Sequence, residues 1–367
     1  MYNVIYLQEI FPDNTFKMIK NLPKISFCIT CMNRLEHLKK TLPINISHAL
    51  TDSENIEFIL LDYNSTDGLE LWIKENNAQN IDNQILKYFK TSQPQAYHRS
   101  HSRNMVFRLA SGDILVNLDA DNFIGKGFVE FILKNMVQSS FLAVDETISG
   151  TNFKDALGRI CVWREDFEKI RGYDERMAGY GFEDLDFKTR LEQIGLKLKP
   201  ITNNRFLKSI QHDNSLRIEN EGISKNLHCV AVEHLEPFKS IIYVFYRDNS
   251  YEKAMIVDNI FRGNCSEKLE IINELRQLVL VEYIMGKWNQ NQDFVHLENQ
   301  RLSKKDESLD WFYASDSKII QELIYSFSAL KNKEIHFKNI ENNGSGINQM
   351  GFGIGEVIKN FKEKIVL

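Results

Sequence analysis

The 367-residue chain is poor in cysteine and proline, with five and six residues respectively. Cys28, Cys31, Cys161, Cys229 and Cys265 are odd in number and scattered. That excludes a disulfide scaffold and fits a reducing compartment. Cys28 and Cys31 form a lone C-x-x-C; zinc needs a second pair, so all five read as core thiols. Long hydrophobic runs are missing too. The longest apolar stretch of the second half, Ile241 to Tyr246, is far too short for a bilayer. The opening MYNVIYLQEIFPDN carries acids and no basic leader, so it reads as an N-terminal strand or arm and not as a signal peptide. Net charge is −5, which leaves no broad basic face for nucleic acid. A cytoplasmic protein is expected, with room for peripheral contact at the inner face of a membrane.

The apolar fraction, 43%, is ordinary for a globular chain, and the length suits one large domain or a domain with an appendage. The first half alternates strand and helix patterns. Ile25 to Thr30 is a short apolar strand, followed by a helical stripe of Leu35, Leu38, Leu42 and Ile46. Pro43 lies inside that stripe, so a kink or restart is expected there. Ile56 to Leu61 is a second strand, closed by the turn-rich Asp62–Gly68. Ile85 to Phe89, a helix over Ser102–Ala110 and a strand from Ile114 to Leu118 complete the alternation. This order predicts a mostly parallel α/β sheet covered by helices on both faces, with ligands outside the carboxyl ends of its strands.

Residues 116–125 read VNLDADNFIG. Asp119 and Asp121 are one residue apart at the end of the fourth strand. Such a pair serves a turn or a divalent metal. Thr30, Asp62 and Asp119 each stand at a strand's carboxyl end, and their convergence favours a ligand site. No glycine-rich loop follows the first strand, where the chain reads TCMNRLEHL, so a GxGxxG dinucleotide fold is disfavoured.

A second acidic cluster lies in GYGFEDLDF, residues 179–187. Acids in a first helical turn favour the helix dipole, which accounts for some of Glu183, Asp184 and Asp186. It does not account for the aromatic and glycine spacing ahead of them. An aromatic face beside carboxylates suits a sugar ring, and a carboxylate here can take a proton from an attacking hydroxyl.

The stretches ISFCITCMNRLEHL, FILLDYNSTDG, SHSRNMVFRLASGDILVNLDADNF and RGYDERMAGYGFEDLDFKTRLEQIG together resemble the family 2 glycosyltransferases of GT-A fold. The last is similar to the matching segment of metal-dependent galactosyl- and N-acetylgalactosaminyltransferases. The resemblance covers roughly residues 24–215. It implies an inverting transfer from a nucleotide-sugar, a UDP-sugar above all, to a glycan or glycolipid acceptor. Asp119 and Asp121 take the place of the DxD pair that holds Mn2+ or Mg2+ against the diphosphate, and His212 that of a metal-binding histidine. Thr30, Asn33, Arg34, Asp62, Arg103, Asn104 and Asp119 fall on the donor side. Tyr180, Glu183 and Asp186 fall on the acceptor side, and Asp184 takes the place of the catalytic base. His228 and His234 read as structural. Tyr180 stands where the family often has tryptophan, and the segment ahead of Ile25 is extra to the core fold.

Past about residue 235 the patterns predict a mainly helical appendage. Its stripes are Leu269–Ile272–Leu275–Val279, Ile320–Leu323–Ile324–Phe327 and Ile354–Ile358–Phe361–Ile365. GSGINQMGFGIGE (344–356) lacks a Walker lysine and reads as a flexible linker. Two rival functions remain at this level: a nucleotidyltransferase, which lacks its lysine-rich activation loop here, and a non-catalytic carbohydrate-binding or assembly protein. Frequent Asn, Lys and Ile point to an AT-rich bacterial genome, and with it a surface-glycan pathway.

Overall fold

The computed structural model describes residues 22–144, 154–236, 239–257, 261–262, 270–271, 279–291, 294–298, 300–303 and 311–367. In chain order the first strands are β1 (Ile25–Cys31), β2 (Ile56–Tyr63), β3 (Leu86–Thr91), β4 (Ile114–Asn117), β5 (Asn122–Phe123), β6 (Ser140–Ala143), β7 (Ile160–Trp163), β8 (Lys197–Pro200) and β9 (Lys208–Ser209). Every residue of β1 and β2 is buried, as central strands covered on both faces must be. β3, β2, β1 and β4 run parallel in that order, with Ile25 opposite Ile56 and Ile114, and Cys31 opposite Asp62. β7 joins β4 antiparallel, and β6 and β8 extend that edge. The sheet therefore has the expected parallel centre and a mixed flank.

One helix spans Leu35–Asp52, burying Leu35, Leu38, Leu42, Ile46 and Ala49 against the sheet. The helix runs on through Pro43 without the restart that was one of the two outcomes expected there. Pro43 lies on the exposed side of the helix.

A second, seven-stranded antiparallel sheet follows. Its order is 300–303, 294–297, 279–290, 250–257, 239–246, 227–236 and 311–313. The long helix Ser317–Glu341 lies on it, with Leu323, Ile324, Phe327 and Leu330 packed on Val230, Val232, Ile242 and Val244. That helix meets the expectation at Ile320–Phe327, and Asp316 caps it by accepting from the Lys318 and Ile319 amides. The other two helical stripes give strands where they are described. Glu270–Ile271 and Val279–Gln290 are strands, while Leu269, Ile272 and Leu275 lie outside the described residues, as does the N-terminal arm. Ile354–Ile365 holds a hairpin, Glu356–Lys359 with Glu363–Val366, which returns to pair with β3 at the edge of the first sheet. Asn360 and Phe361 supply the two positive φ angles, 45° and 69°, that such a turn needs. The stretch expected as a flexible linker is tied down: Arg108 donates to the Phe352 and Gly353 carbonyls, and Glu175 accepts from the Gly353 amide.

Candidate active site

The carboxyl ends of the parallel strands open on two adjoining cavities, of about 100 and 230 Å3. Just past β4 the chain turns, with the Asn122 amide donating to the Asp119 carbonyl at 3.0 Å. The acid pair thus sits in a turn and also faces a cavity. β5 pairs antiparallel with β9, which carries the following residues past Asp121. The Ile210 amide donates to the Asp121 carbonyl at 2.9 Å, and His212 Nε2 lies 2.8 Å from Asp121 Oδ2. Asn122 Nδ2 donates to the other Asp121 oxygen at 2.7 Å, and Arg159 holds Asn122 in turn. Burial works to raise the Asp121 carboxyl, but the bonds from His212 and Asn122 outweigh it and leave it lowered. The same bond from Asp121 raises His212. Among the described residues no three His, Cys, Asp or Glu side chains stand together as a ready metal cluster. Asp121 and His212 form a two-donor core, and Asp119 lines the same cavity.

The smaller cavity continues along the end of β1. The hydroxyls of Thr30 and Tyr97 are 2.7 Å apart, and Arg34 reaches Glu219 at 3.4 Å; Thr30, Tyr97 and Arg34 all line the cavity. Asn33, at a φ of 55°, joins two loops: its amide oxygen accepts from the Thr66 amide and its nitrogen donates to Asn220.

The helix Glu183–Gln193 starts the larger cavity. Its cap residue, Phe182, holds a left-handed φ of 67°, a strained setting for a bulky side chain that costs about 1–3 kcal/mol and often marks a functional site. The Arg103 guanidinium, 3% exposed, donates to Asp184 at 2.7 Å and to Glu183 at 3.3 Å. It also reaches Asp119 at 3.4 Å. Burial pushes the Asp184 carboxyl up to about 6, with Glu183 and Asp119 adding to it and Arg103 opposing. Gly158 lies between these groups. A Cβ there would stand 3.0 Å from Arg103 Nη2 and Asp119 Oδ2, and 3.1 Å from Asp184 Oδ2. Only a residue without a side chain leaves room for a ligand where those three meet.

Four expected site residues line neither cavity: Asn33, which joins the two loops, and Asp62, Asn104 and Asp186. Asp62 is fully buried at the end of β2, and accepts from the Tyr88 hydroxyl at 2.6 Å and the Ser65 amide at 2.7 Å, so it shapes the turn after β2. Asn104 ties its helix, Arg99–Leu109, to the Tyr173 backbone through both ends of its amide. Asp186, 1% exposed, pairs with Arg190 at 2.7 Å and accepts from Asn339 at 2.9 Å. It faces the C-terminal helix. His228 packs on Trp288 at 5.0 Å; the His234 side chain lies outside the description.

Sequence reasoning missed Arg99, Asp155, Arg217 and Tyr325. The first three line both cavities, and Tyr325 lines the larger. Arg217 pairs with Asp155 and donates to the Tyr180 hydroxyl at 2.8 Å. Arg99 could have been found, since it stands four residues before Arg103 on one helix face. A lone Arg217 on a five-residue helix carries no such pattern.

Residues 26–185 match the model of the family described as glycosyl transferase family 2. No curated protein matches the chain. Among solved structures, the mannosyltransferase PcManGT from Pyrobaculum calidifontis, in complex with GDP-Man and Mn2+, aligns at 14% identity with a TM-score of 0.43. That alignment covers 57% of this chain and 64% of the mannosyltransferase, under two thirds of its length. The catalytic domain of Drosophila beta1,4galactosyltransferase 7, complexed with xylobiose, aligns at 16% identity over 54% of this chain and 74% of its own, with a TM-score of 0.39. S. aureus TarS 1–349 aligns at 16% identity over 49% and 58%, with a TM-score of 0.38. Likenesses this distant say nothing of donor or acceptor. Residues 26–185, under half of the chain, are thus similar to glycosyl transferase family 2, and the sheet with its acids at the carboxyl edge has the mixed α/β architecture expected of the GT-A fold.

Proposed function

We propose that the chain moves a sugar from a nucleotide-sugar, in the first instance a UDP-sugar, to a hydroxyl of a glycan or glycolipid, with inversion at the anomeric carbon. The junction of the two cavities carries this reading. Asp119 lines both, and Asp119, Arg103 and Asp184 close around Gly158 where they meet. A donor whose diphosphate lies toward Asp121, His212 and Arg34 presents its anomeric carbon at that junction, with Asp184 on the acceptor side. Thr30 and Tyr97 then border the nucleotide, while Asn33 and Asp62 keep its loops in place.

Asp121 and His212, with Asp119, would hold a manganese or magnesium ion. The oxygen and imidazole donors suit such ions, which complete their shells with substrate phosphate oxygens when protein ligands are few. When bound, such an ion would neutralise charge on the leaving diphosphate. The chain's own chemistry is proton transfer. Asp184 takes the acceptor hydroxyl's proton as that oxygen bonds to the anomeric carbon, and the bond from that carbon to the diphosphate oxygen breaks. A carboxyl raised to about 6 is a better base than an ordinary aspartate, at about 3.9, and is still ionised at neutral pH. Retention would need a nucleophile on the donor's own face. A role in bacterial surface-polysaccharide synthesis rests on composition alone.

Titration calorimetry with UDP, with and without manganese, tests the site. Binding should require the metal in the parent and vanish in Asp121→Ala. Metal-independent UDP binding, or an Asp121→Ala variant as tight as the parent, would sink the assignment.

A further inference from the structure

The loop Gly179–Tyr180–Gly181 is built against the helix Ser317–Glu341. Its glycines hold φ angles of 85° and 98°, which favour residues without a side chain. Space demands the same: a Cβ at Gly179 would stand 2.8 Å from the Ser328 hydroxyl, and one at Gly181 3.1 Å from the Ala329 Cβ. Asn332 Nδ2 donates to the Gly181 carbonyl at 2.8 Å. Further along, Asn339 donates to Asp174 at 2.8 Å and to Asp186 at 2.9 Å. A helix from outside the matched family segment is thereby fixed beside the acid-bearing loop, and its Tyr325 forms part of the larger cavity's wall.

The aromatic face expected of Tyr180 is already taken. Tyr325 stacks on it with centroids 4.6 Å apart and planes at 29°. The guanidinium carbons of Arg99 and Arg217 lie 5.1 and 5.3 Å from its centroid. One ring and two cations at these distances cannot share a single face, so both faces of Tyr180 are occupied. Tyr325 differs. It is half-buried, packs at the margin of the apolar cluster between the second sheet and its helix, lines the cavity, and among the described residues meets one ring only, that of Tyr180. Glu183, in the same wall, keeps one buried carboxylate oxygen without a protein partner.

The geometry points to Tyr325 as the aromatic platform of the acceptor subsite. Its outer face takes the C–H face of a saccharide ring, and Glu183 and Asp184 accept from that ring's hydroxyls. Tyr180 serves as a spacer that aligns Tyr325 with Arg217. The inference rests on the proposed glycosyl transfer, and it makes the C-terminal helix a determinant of which sugar is accepted.

Parent, Tyr325→Ala, Tyr325→Leu and Tyr325→Phe, each full length, are first titrated with UDP and manganese. A parent that fails this step overturns the glycosyltransferase site itself, separately from the platform. Loaded proteins are then applied to a glycan array, and the strongest glycan is measured by calorimetry. Tyr325→Ala should lose about tenfold in glycan affinity, the scale of an aromatic stacking contact. Tyr325→Leu, which keeps apolar bulk for folding, should lose as much, and Tyr325→Phe should stay within about twofold of the parent. All three should keep UDP–manganese binding. Ala and Leu variants that bind the glycan as the parent does overturn the platform. So does a parent that loads UDP–manganese yet binds no glycan on the array.

Discussion

Asp184 and Asp186 leave the same first turn of one helix and enter two different regions. Asp184 enters the cavity wall, where burial raises its carboxyl and Arg103 is, among the described residues, its one hydrogen-bond partner. Asp186 enters the interface with the C-terminal helix. There burial also works to raise the carboxyl, but bonds from His336, Arg190 and Asn339 outweigh it and leave it lowered. Asp174 belongs to that second region, sharing Asn339 and pairing with Arg176. The difference is in satisfaction, and with it in exposure: the Asp184 side chain is 19% exposed and that of Asp186 1%. An acid with every oxygen engaged by protein is a fastener; an acid with an oxygen facing a cavity can act on something else.

The comparison breaks most sharply at Asp184. Asp184→Asn keeps shape and hydrogen-bonding capacity but accepts no proton, so transfer should fall by about 10²–10⁴-fold while UDP–manganese binding holds. In the parent, kcat/KM should fall as pH drops below about 6, where the raised carboxyl takes up its proton, and Asp184→Asn should lose that limb. A variant that turns over near the parental rate would remove Asp184 from the chemistry.

Asp186→Ala should break something else. It leaves Arg190, 4% exposed, without its charge partner, and removing one member of a buried pair costs about 3–5 kcal/mol. Urea unfolding measures this directly. A loss under about 1 kcal/mol would mean that the interface does not depend on the network, and that Asp186 has no special fastening role.

A smaller effect sharpens the donor side. His212→Ala removes one of two closely placed donors and should weaken manganese affinity by about 10-fold or more, by analogy with losses at supporting metal positions. Unchanged manganese dependence would leave His212 as a packing partner of His37, whose ring lies 5.8 Å away.

The parallel strands could be read because each is a continuous apolar run, a pattern that central strands impose. β6 and β7, SFLA and ICVW, escaped because four residues carry too little periodicity. Ile354, Ile358, Phe361 and Ile365 matched a helical period yet form a hairpin. Phe361 there packs on Tyr88 at 5.0 Å, and the turn at Asn360 decides the local course. In the site, the acids themselves could be read, because strand ends and helix starts fix where they emerge. Arg217, Asp155 and Tyr325 could not, because each reaches the cavities from a separate segment whose own pattern names no partner.

By itself, then, the sequence determined the parallel centre of the sheet, the edge on which Asp119, Asp121 and Asp184 gather, and the family resemblance of residues 26–185. Periodicity and chain order dictate those, since a buried strand must be apolar and its end must face the ligand edge. Tertiary structure alone decided which acids stay open and which are fastened. Asp62, Asn104 and Asp186 are as polar as their neighbours, but each meets partners far along the chain, from Tyr88 to Asn339, and hydrogen-bond satisfaction depends on who arrives there in space.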